Sequence, residues 1–162
     1  MFEELALDVA LHDRAGFSCG VPELDDYLKR LAEQHRRKGV STVHVLVDSD
    51  APSLILGYYT LSAAQVSAEQ LSEADRKRLP RHPVRCFRMG RLACRADQRG
   101  QGLGRLLMGC AVERCLEARK QVAAFALIVD AQNPAAKTFY EHYGFNSCLD
   151  DGMTLYLPLG PG

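Results

Sequence analysis

Apolar and polar positions along this chain follow two periods, and the switches between them outline its elements. Residues 4–11 are mostly apolar and predict a short strand, with Leu5 its first buried side chain. Helical spacing follows, with Leu24, Tyr27, Leu28 and Leu31 forming one apolar face. Pro22 suits the first turn of that helix. Gly39 suits its end, just after Arg36, Arg37 and Lys38, whose charges favour the negative pole of the helix dipole. Thr42–Val47 and Leu54–Leu61 predict an antiparallel pair of strands. A helix opened by Ser67 is expected over 67–78, then an extended linker from Leu79 to Pro83. Arg85–Cys94 predicts a strand in which Gly90 marks a bulge or a close backbone approach.

Downstream, Leu103, Leu106, Leu107 and Cys110 recur at helical spacing. Val122–Val129 is an unbroken apolar run, which predicts a strand covered on both faces at the centre of a parallel sheet. Strand, helix and strand here make a βαβ unit. Asn133 and Pro134 open another helix, expected to reach about Tyr143 and to end at Gly144. Met153–Leu157 closes the chain as a last short strand. The class expected is α/β with a mixed sheet. No repeat or second domain interrupts residues 1–162, so a single domain is expected.

Between the strand at 85–94 and the following helix lies Arg99-Gly100-Gln101-Gly102-Leu103-Gly104-Arg105. Alternate glycines leave the main chain uncovered, so a ligand can approach it closely. The free N–H groups of a first helical turn suit a phosphate or pyrophosphate, and Arg99 and Arg105 flank the same place. The string G-x-x-x-x-G-K-[ST] does not occur, and G-x-G-x-x-G is not met from either Gly100 or Gly102. What remains is R-x-x-G-x-G.

Composition changes this picture little. The apolar fraction of 47% and charged fraction of 25% are those of an ordinary globular protein. The six cysteines form no C-x-x-C pair and no zinc-spaced cluster, so they are expected to be reduced, buried and metal-free. The first thirty residues carry no basic stretch followed by an apolar one, and no apolar run is long enough to span a bilayer. A cytoplasmic protein without membrane contact is expected. Net charge is +0, which argues against a generally basic coat. Charge is nevertheless uneven: ten Lys and Arg residues but one acid, Asp97, lie between Arg76 and Arg105, and His35-Arg36-Arg37-Lys38 forms a second knot. These are either solvated loop charges or a basic face for a polyanion.

The element order and three local motifs resemble the GNAT acetyltransferases. The motifs are Arg99-x-x-Gly102-x-Gly104; Leu92-Ala93-Cys94 just upstream; and Phe139-Tyr140-Glu141-His142-Tyr143-Gly144-Phe145, similar to the family's F-Y-x-x-x-G-F element. The resemblance implies a mixed sheet of about six to seven strands with about four helices, and acetyl-CoA as cofactor. It implies that the pyrophosphate is held at Arg99, Gly100, Gln101, Gly102, Leu103, Gly104 and Arg105. It also implies that Leu92, Ala93 and Cys94 hydrogen-bond the cofactor where the strand splays from its neighbour, and that Asn133 bonds the pantetheine arm. Asn133 reads equally well as a plain helix N-cap.

By position in the motif Tyr140 is the catalytic acid, donating a proton to the leaving thiolate; packing under the sheet is the alternative. A backbone N–H around Ala93 and Cys94 supplies the oxyanion donor. Tyr143 lies on a similar side of the helix and His142 points away. Glu141 and Asp130 are candidate bases, and a water chain also serves.

Phe17-Ser18-Cys19-Gly20, Leu24-Asp25 and Tyr27-Leu28 resemble the start of bacterial GNAT toxins, as do Ser41-Thr42, Gly57-Tyr58-Tyr59 and Gly90-Arg91-Leu92-Ala93. That branch acetylates the amino group of aminoacyl-tRNA and blocks translation, pairs with a ribbon-helix-helix antitoxin, and forms homodimers. The resemblance then implies that Arg36, Arg37, Lys38, Arg78, Arg81, Arg85 and Arg91 meet the tRNA backbone. The alternative is a stand-alone GNAT acetyltransferase acting on a small-molecule or protein amine.

Overall fold

The structure is a computed structural model that describes residues 1–80, 83–98 and 100–161. Among the described residues seven strands join in one mixed sheet, in the order β1 (Phe2–Ala6), β2 (Thr42–Asp48), β3 (Gly57–Val66), β4 (Val84–Cys94), β5 (Ala126–Asp130), β7 (Thr154–Pro158), β6 (Asn146–Ser147). β1, β2 and β3 pair antiparallel, β4 and β5 parallel, and β5, β7 and β6 antiparallel. Internal contacts group the chain into two compact units, one of Met1–Ser62 with Gly90–Val112 and one of Ala63–Met89 with Glu113–Gly162.

In the first unit the core lies under β2 and β3, where Val43, Val45, Val47 and Tyr58 meet Phe17, Leu24, Tyr27, Leu28 and Ala93. β1 is shorter than the apolar run predicted. Asp8 ends it, its side chain accepting from the N–H of Ala10 and its carbonyl from Leu11 and His12, so residues 8–11 turn instead of extending. Helix α1 spans 22–37 and holds a π-helical turn over Tyr27–Leu31 between α-helical Pro22–Asp26 and Ala32–Arg37. The extra residue in that turn rotates the face that follows. Leu31, expected inside, is 42% exposed, and Ala32 takes the buried place.

The helix expected over 67–78 is broken in two. Ser67 caps a short 3₁₀ turn, Ala68–Gln70, through a capping box, and Ser72 caps a separate helix α2, Glu73–Lys77. Both belong to the second unit, whose core joins Val66, Leu71, Val84, Cys86, Ala126, Ile128 and Tyr156. β5 holds only the latter part of its predicted run. Ala126–Val129 is fully covered whereas Val122 is 70% exposed. Helix α3, Leu103–Ala118, buries Leu103, Leu107, Met108, Ala111 and Cys115, a face turned away from the expected Leu106 and Cys110. Helix α4 is Pro134–His142, and Gly144 follows it with φ of 93°.

Candidate active site at the end of β4

The β4–β5 ladder runs from Phe87↔Leu127 to Met89↔Val129, and no pair continues it toward Cys94 among the described residues. β4 itself extends five residues further, Gly90–Cys94. β5 itself ends at Asp130, one residue past the last pair, so Gly90–Cys94 has no ladder partner in it. On its other side the stretch is tightly held: Arg95 donates its N–H to the Leu56 carbonyl, and a Cβ at Gly57 would meet the Ala93 oxygen at 2.9 Å. Gly90 likewise fits closely, with Thr60 Oγ1 at 3.3 Å from where its Cβ would lie, which explains the glycine without a bulge. Leu92 and Cys94 are half-buried and Ala93 is buried.

The glycine loop joins β4 to α3. Gly100 and Gly102 have φ of 85° and 73°, and among the described residues nothing lies within 4 Å of where their β-carbons would be. Both facts fit a pyrophosphate cradle: the backbone needs glycine, and its outer side is open. Gln101 donates from Nε2 to Gln98 Oε1 at 2.8 Å. Leu103 is buried as the first residue of α3, Gly104 is half-buried, and Arg105 is exposed. Arg99, predicted beside them, lies outside the described residues.

In the second unit α4 begins at Asn133, whose Oδ1 accepts from the Ala136 N–H at 2.8 Å. The N-cap reading therefore holds, and Asn133 is exposed. Tyr140 is 7% exposed and packs against Phe139 and Phe145, with ring centroids 5.4 and 5.3 Å apart. Tyr143 is half-buried with its ring 5.1 Å from Phe139, while His142 is exposed. Of the candidate bases, Asp130 pairs with Arg88 and accepts from Thr154 Oγ1, whereas Glu141 is exposed.

The predicted basic residues do not form one uncommitted face. Arg36 holds Glu33 with two hydrogen bonds, and Arg37 lies 3.8 Å from the same carboxylate; this pairing lowers the Glu33 pKa. Arg78 pairs with Asp75, and Arg85 donates to Gln65. Lys38 is exposed. Arg91 stacks on the Tyr27 ring. Arg95, counted among the basic stretch, is buried and donates to the carbonyls of Ile55 and Gly16. Arg81 lies outside the described residues. Tyr27, which belongs to the apolar face and to the N-terminal motif, gains here a partner in Arg91 that neither pattern announces.

The buried cysteines are unsuited to covalent catalysis. Burial pushes the Cys86 thiol up to about 11 and Cys115 up to about 12, so both stay neutral near pH 7. Among the described residues no cluster of His, Cys, Asp or Glu is placed to hold a metal. No helix of the described residues is long and apolar enough to cross a membrane.

Comparison with known proteins fits this geometry. The model of the acetyltransferase (GNAT) domain matches residues 41–147. A tRNA-acetylating toxin of Mycobacterium tuberculosis (strain ATCC 25618 / H37Rv) is 31% identical over 145 residues, which cover 90% of this chain and 85% of the relative. The solved structure of AtaT complexed with acetyl-methionyl-tRNAfMet superposes with a TM-score of 0.91 at 27% identity, covering 98% of this chain and 95% of that one. AtaTR bound with acetyl-CoA gives a TM-score of 0.83 at 28% identity over 98% and 94% of the two chains. The chain belongs to the GNAT family of acetyltransferases, and both its sequence and its fold are close to those of the tRNA-acetylating toxins.

Proposed function

We propose that this protein transfers the acetyl group of acetyl-CoA to the amino group of aminoacyl-tRNA, and so acts as a toxin that blocks translation. The observation that carries the reading is likeness along nearly the whole chain, at a TM-score of 0.91, to a toxin held with its acetylated aminoacyl-tRNA. The positive-φ glycines at 100 and 102 support its acetyl-CoA part from the chain's own residues.

Acetyl-CoA, when bound, supplies the acetyl thioester. The main chain of Leu92, Ala93 and Cys94 holds its thioester end, and the cradle from Arg99 to Arg105 holds its pyrophosphate, with Asn133 on the pantetheine arm. An N–H at Ala93 or Cys94 donates to the carbonyl oxygen as negative charge develops on it, an effect worth a few kcal/mol where one such donor has been removed, roughly 10²–10³-fold in rate. The Tyr140 hydroxyl gives its proton to the departing sulfur. The amine of an aminoacyl ester is largely neutral near pH 7, so its proton leaves through water. Arg36, Arg37, Lys38, Arg78, Arg81, Arg85 and Arg91 contribute charge toward the tRNA backbone.

The whole chain acts as one acetyltransferase domain in the cytoplasm, as a homodimer restrained by a ribbon-helix-helix antitoxin. Induced expression in a bacterial culture, wild type beside Tyr140→Phe, tests the reading together with labelled acetyl-CoA and bulk aminoacyl-tRNA in a parallel tube. Arrest by the wild type alone, with label on tRNA, supports it. Normal growth with unlabelled tRNA contradicts it and leaves a GNAT enzyme for a small or protein amine.

A further inference from the structure

The Arg91 guanidinium carbon lies over the Tyr27 ring, 3.5 Å from its centroid. The guanidinium makes no hydrogen bond and no ion pair among the described residues, so this contact orients it without using its donors. Tyr27 is itself immobilised. It is 2% exposed, its hydroxyl meets His35 Nδ1 at 2.9 Å and Ser41 Oγ at 3.2 Å, and its ring stacks with Tyr58 at 6.4 Å and 14°.

Arg91 sits two residues before Ala93 on β4, so both project from the same face of the strand. Ala93 packs in the core cluster that contains Tyr27. Two strand residues span roughly 7 Å, so an oriented guanidinium with its donors uncommitted stands beside the backbone assigned to the thioester. In an aminoacylated 3′ end, a short run of single bonds separates the reacting amine from the terminal phosphodiester. A planar fork of N–H donors matches a phosphate, and a fixed fork loses less freedom on binding it.

We propose that Arg91 takes the terminal phosphodiester of the acceptor and that Tyr27 is a positioning residue, its ring holding the Arg91 guanidinium in the plane that presents it. This rests on the aminoacyl-tRNA reading above.

The test measures initial acetylation rates on bulk aminoacyl-tRNA with saturating acetyl-CoA, for wild type, Tyr27→Phe, Tyr27→Leu, Arg91→Met and the double variant Tyr27→Leu with Arg91→Met. Arg91→Met is expected to raise the KM for aminoacyl-tRNA about 10- to 100-fold, from the loss of hydrogen bonds to a charged group. It is also expected to lower the slope of log KM against log salt by about one. Tyr27→Leu raises the same KM about 5- to 20-fold, leaves the KM for acetyl-CoA unchanged, and adds nothing to Arg91→Met in the double variant. Tyr27→Phe keeps the ring face and rescues the KM.

Independent effects that multiply in the double variant, or an equal rise in the KM for acetyl-CoA, would overturn the proposal. Should Tyr27→Leu fail to fold, Arg91→Met decides alone: a salt slope equal to wild type overturns it. Wild type that acetylates aminoacyl-tRNA while these variants behave uncoupled refutes this inference only. Wild type that leaves aminoacyl-tRNA unlabelled refutes the underlying reading and this inference with it.

Discussion

A β-carbon placed on Gly57 would stand 2.9 Å from the carbonyl oxygen of Ala93 and 3.0 Å from Leu107 Cδ2. A β-carbon essentially never approaches a backbone oxygen so closely. The start of β3 therefore presses directly on the part of β4 assigned to the acetyl thioester, and the glycine sets where that strand lies.

Gly57→Ala forces Ala93 or α3 to move by a few tenths of an ångström or more. The expected result is a fall in kcat of about 10- to 100-fold, since small misplacements at a reacting centre carry such costs. Steady-state kinetics beside Gly109→Ala checks this. Gly109 lies in α3 with nothing from the rest of the described residues within 4 Å of its Cβ position. That control keeps activity and gains about 0.5–1 kcal/mol of helix stability.

Gly100→Ala and Gly102→Ala act differently, because space is open there and only the backbone objects. A left-handed conformation costs an alanine about 1 kcal/mol. Isothermal titration should show acetyl-CoA binding weakened several-fold by either substitution. Unchanged binding would remove the loop from the cofactor site.

Tyr140→Phe keeps the ring among Phe139 and Phe145 and deletes only the hydroxyl. A loss in kcat of about 10²–10⁴-fold with acetyl-CoA affinity retained is expected if that hydroxyl is the acid. A variant as active as wild type would make Tyr140 a packing residue.

His12 gives the fold a pH dependence of predictable sign. Its Nδ1 accepts from the Asp8 N–H at 3.0 Å, while Nε2 is buried without a partner among the described residues. Burial lowers its pKa below the ordinary 6.5, a shift that the nearby Asp8 opposes. With the folded pKa depressed, the unfolded chain takes up the proton first. The stability from neutral His12 is thus complete above pH 6.5 and declines as pH falls from there to the folded value. Asp75, held low by Tyr156, Arg78 and Ser72 against its own burial, weakens the fold only near and below its ordinary 3.8. Urea unfolding at several pH values should show a decline below pH 6.5 that His12→Gln reduces.

The elements that carry the site were legible because their chemistry is local. Glycines at 100 and 102 announce a backbone that other residues avoid, and the Asn133-Pro134 pair marks a helix start by N-cap and fixed φ. What escaped reading depends on tertiary partners. No residue type signals the π-helical turn at Tyr27–Leu31, so Leu31 was expected inside where Ala32 lies. Asp8 interrupts an apolar run by bonding its own neighbours, and α3 buries Met108 in place of Leu106 because its neighbours decide the face. Tyr27 was legible as one apolar position of four and as part of the N-terminal motif, but its contact with Arg91, 64 places away, was not.

The central claim is the transfer of acetyl to an aminoacyl ester on tRNA. The most direct measurement incubates bulk aminoacyl-tRNA with acetyl-CoA and the protein, digests the RNA, and reads the 3′-terminal nucleoside by mass spectrometry. N-acetylaminoacyl-adenosine formed by wild type and absent with Tyr140→Phe is the predicted result. Unmodified aminoacyl-adenosine, from a preparation that acetylates a small amine in the same buffer, would contradict it.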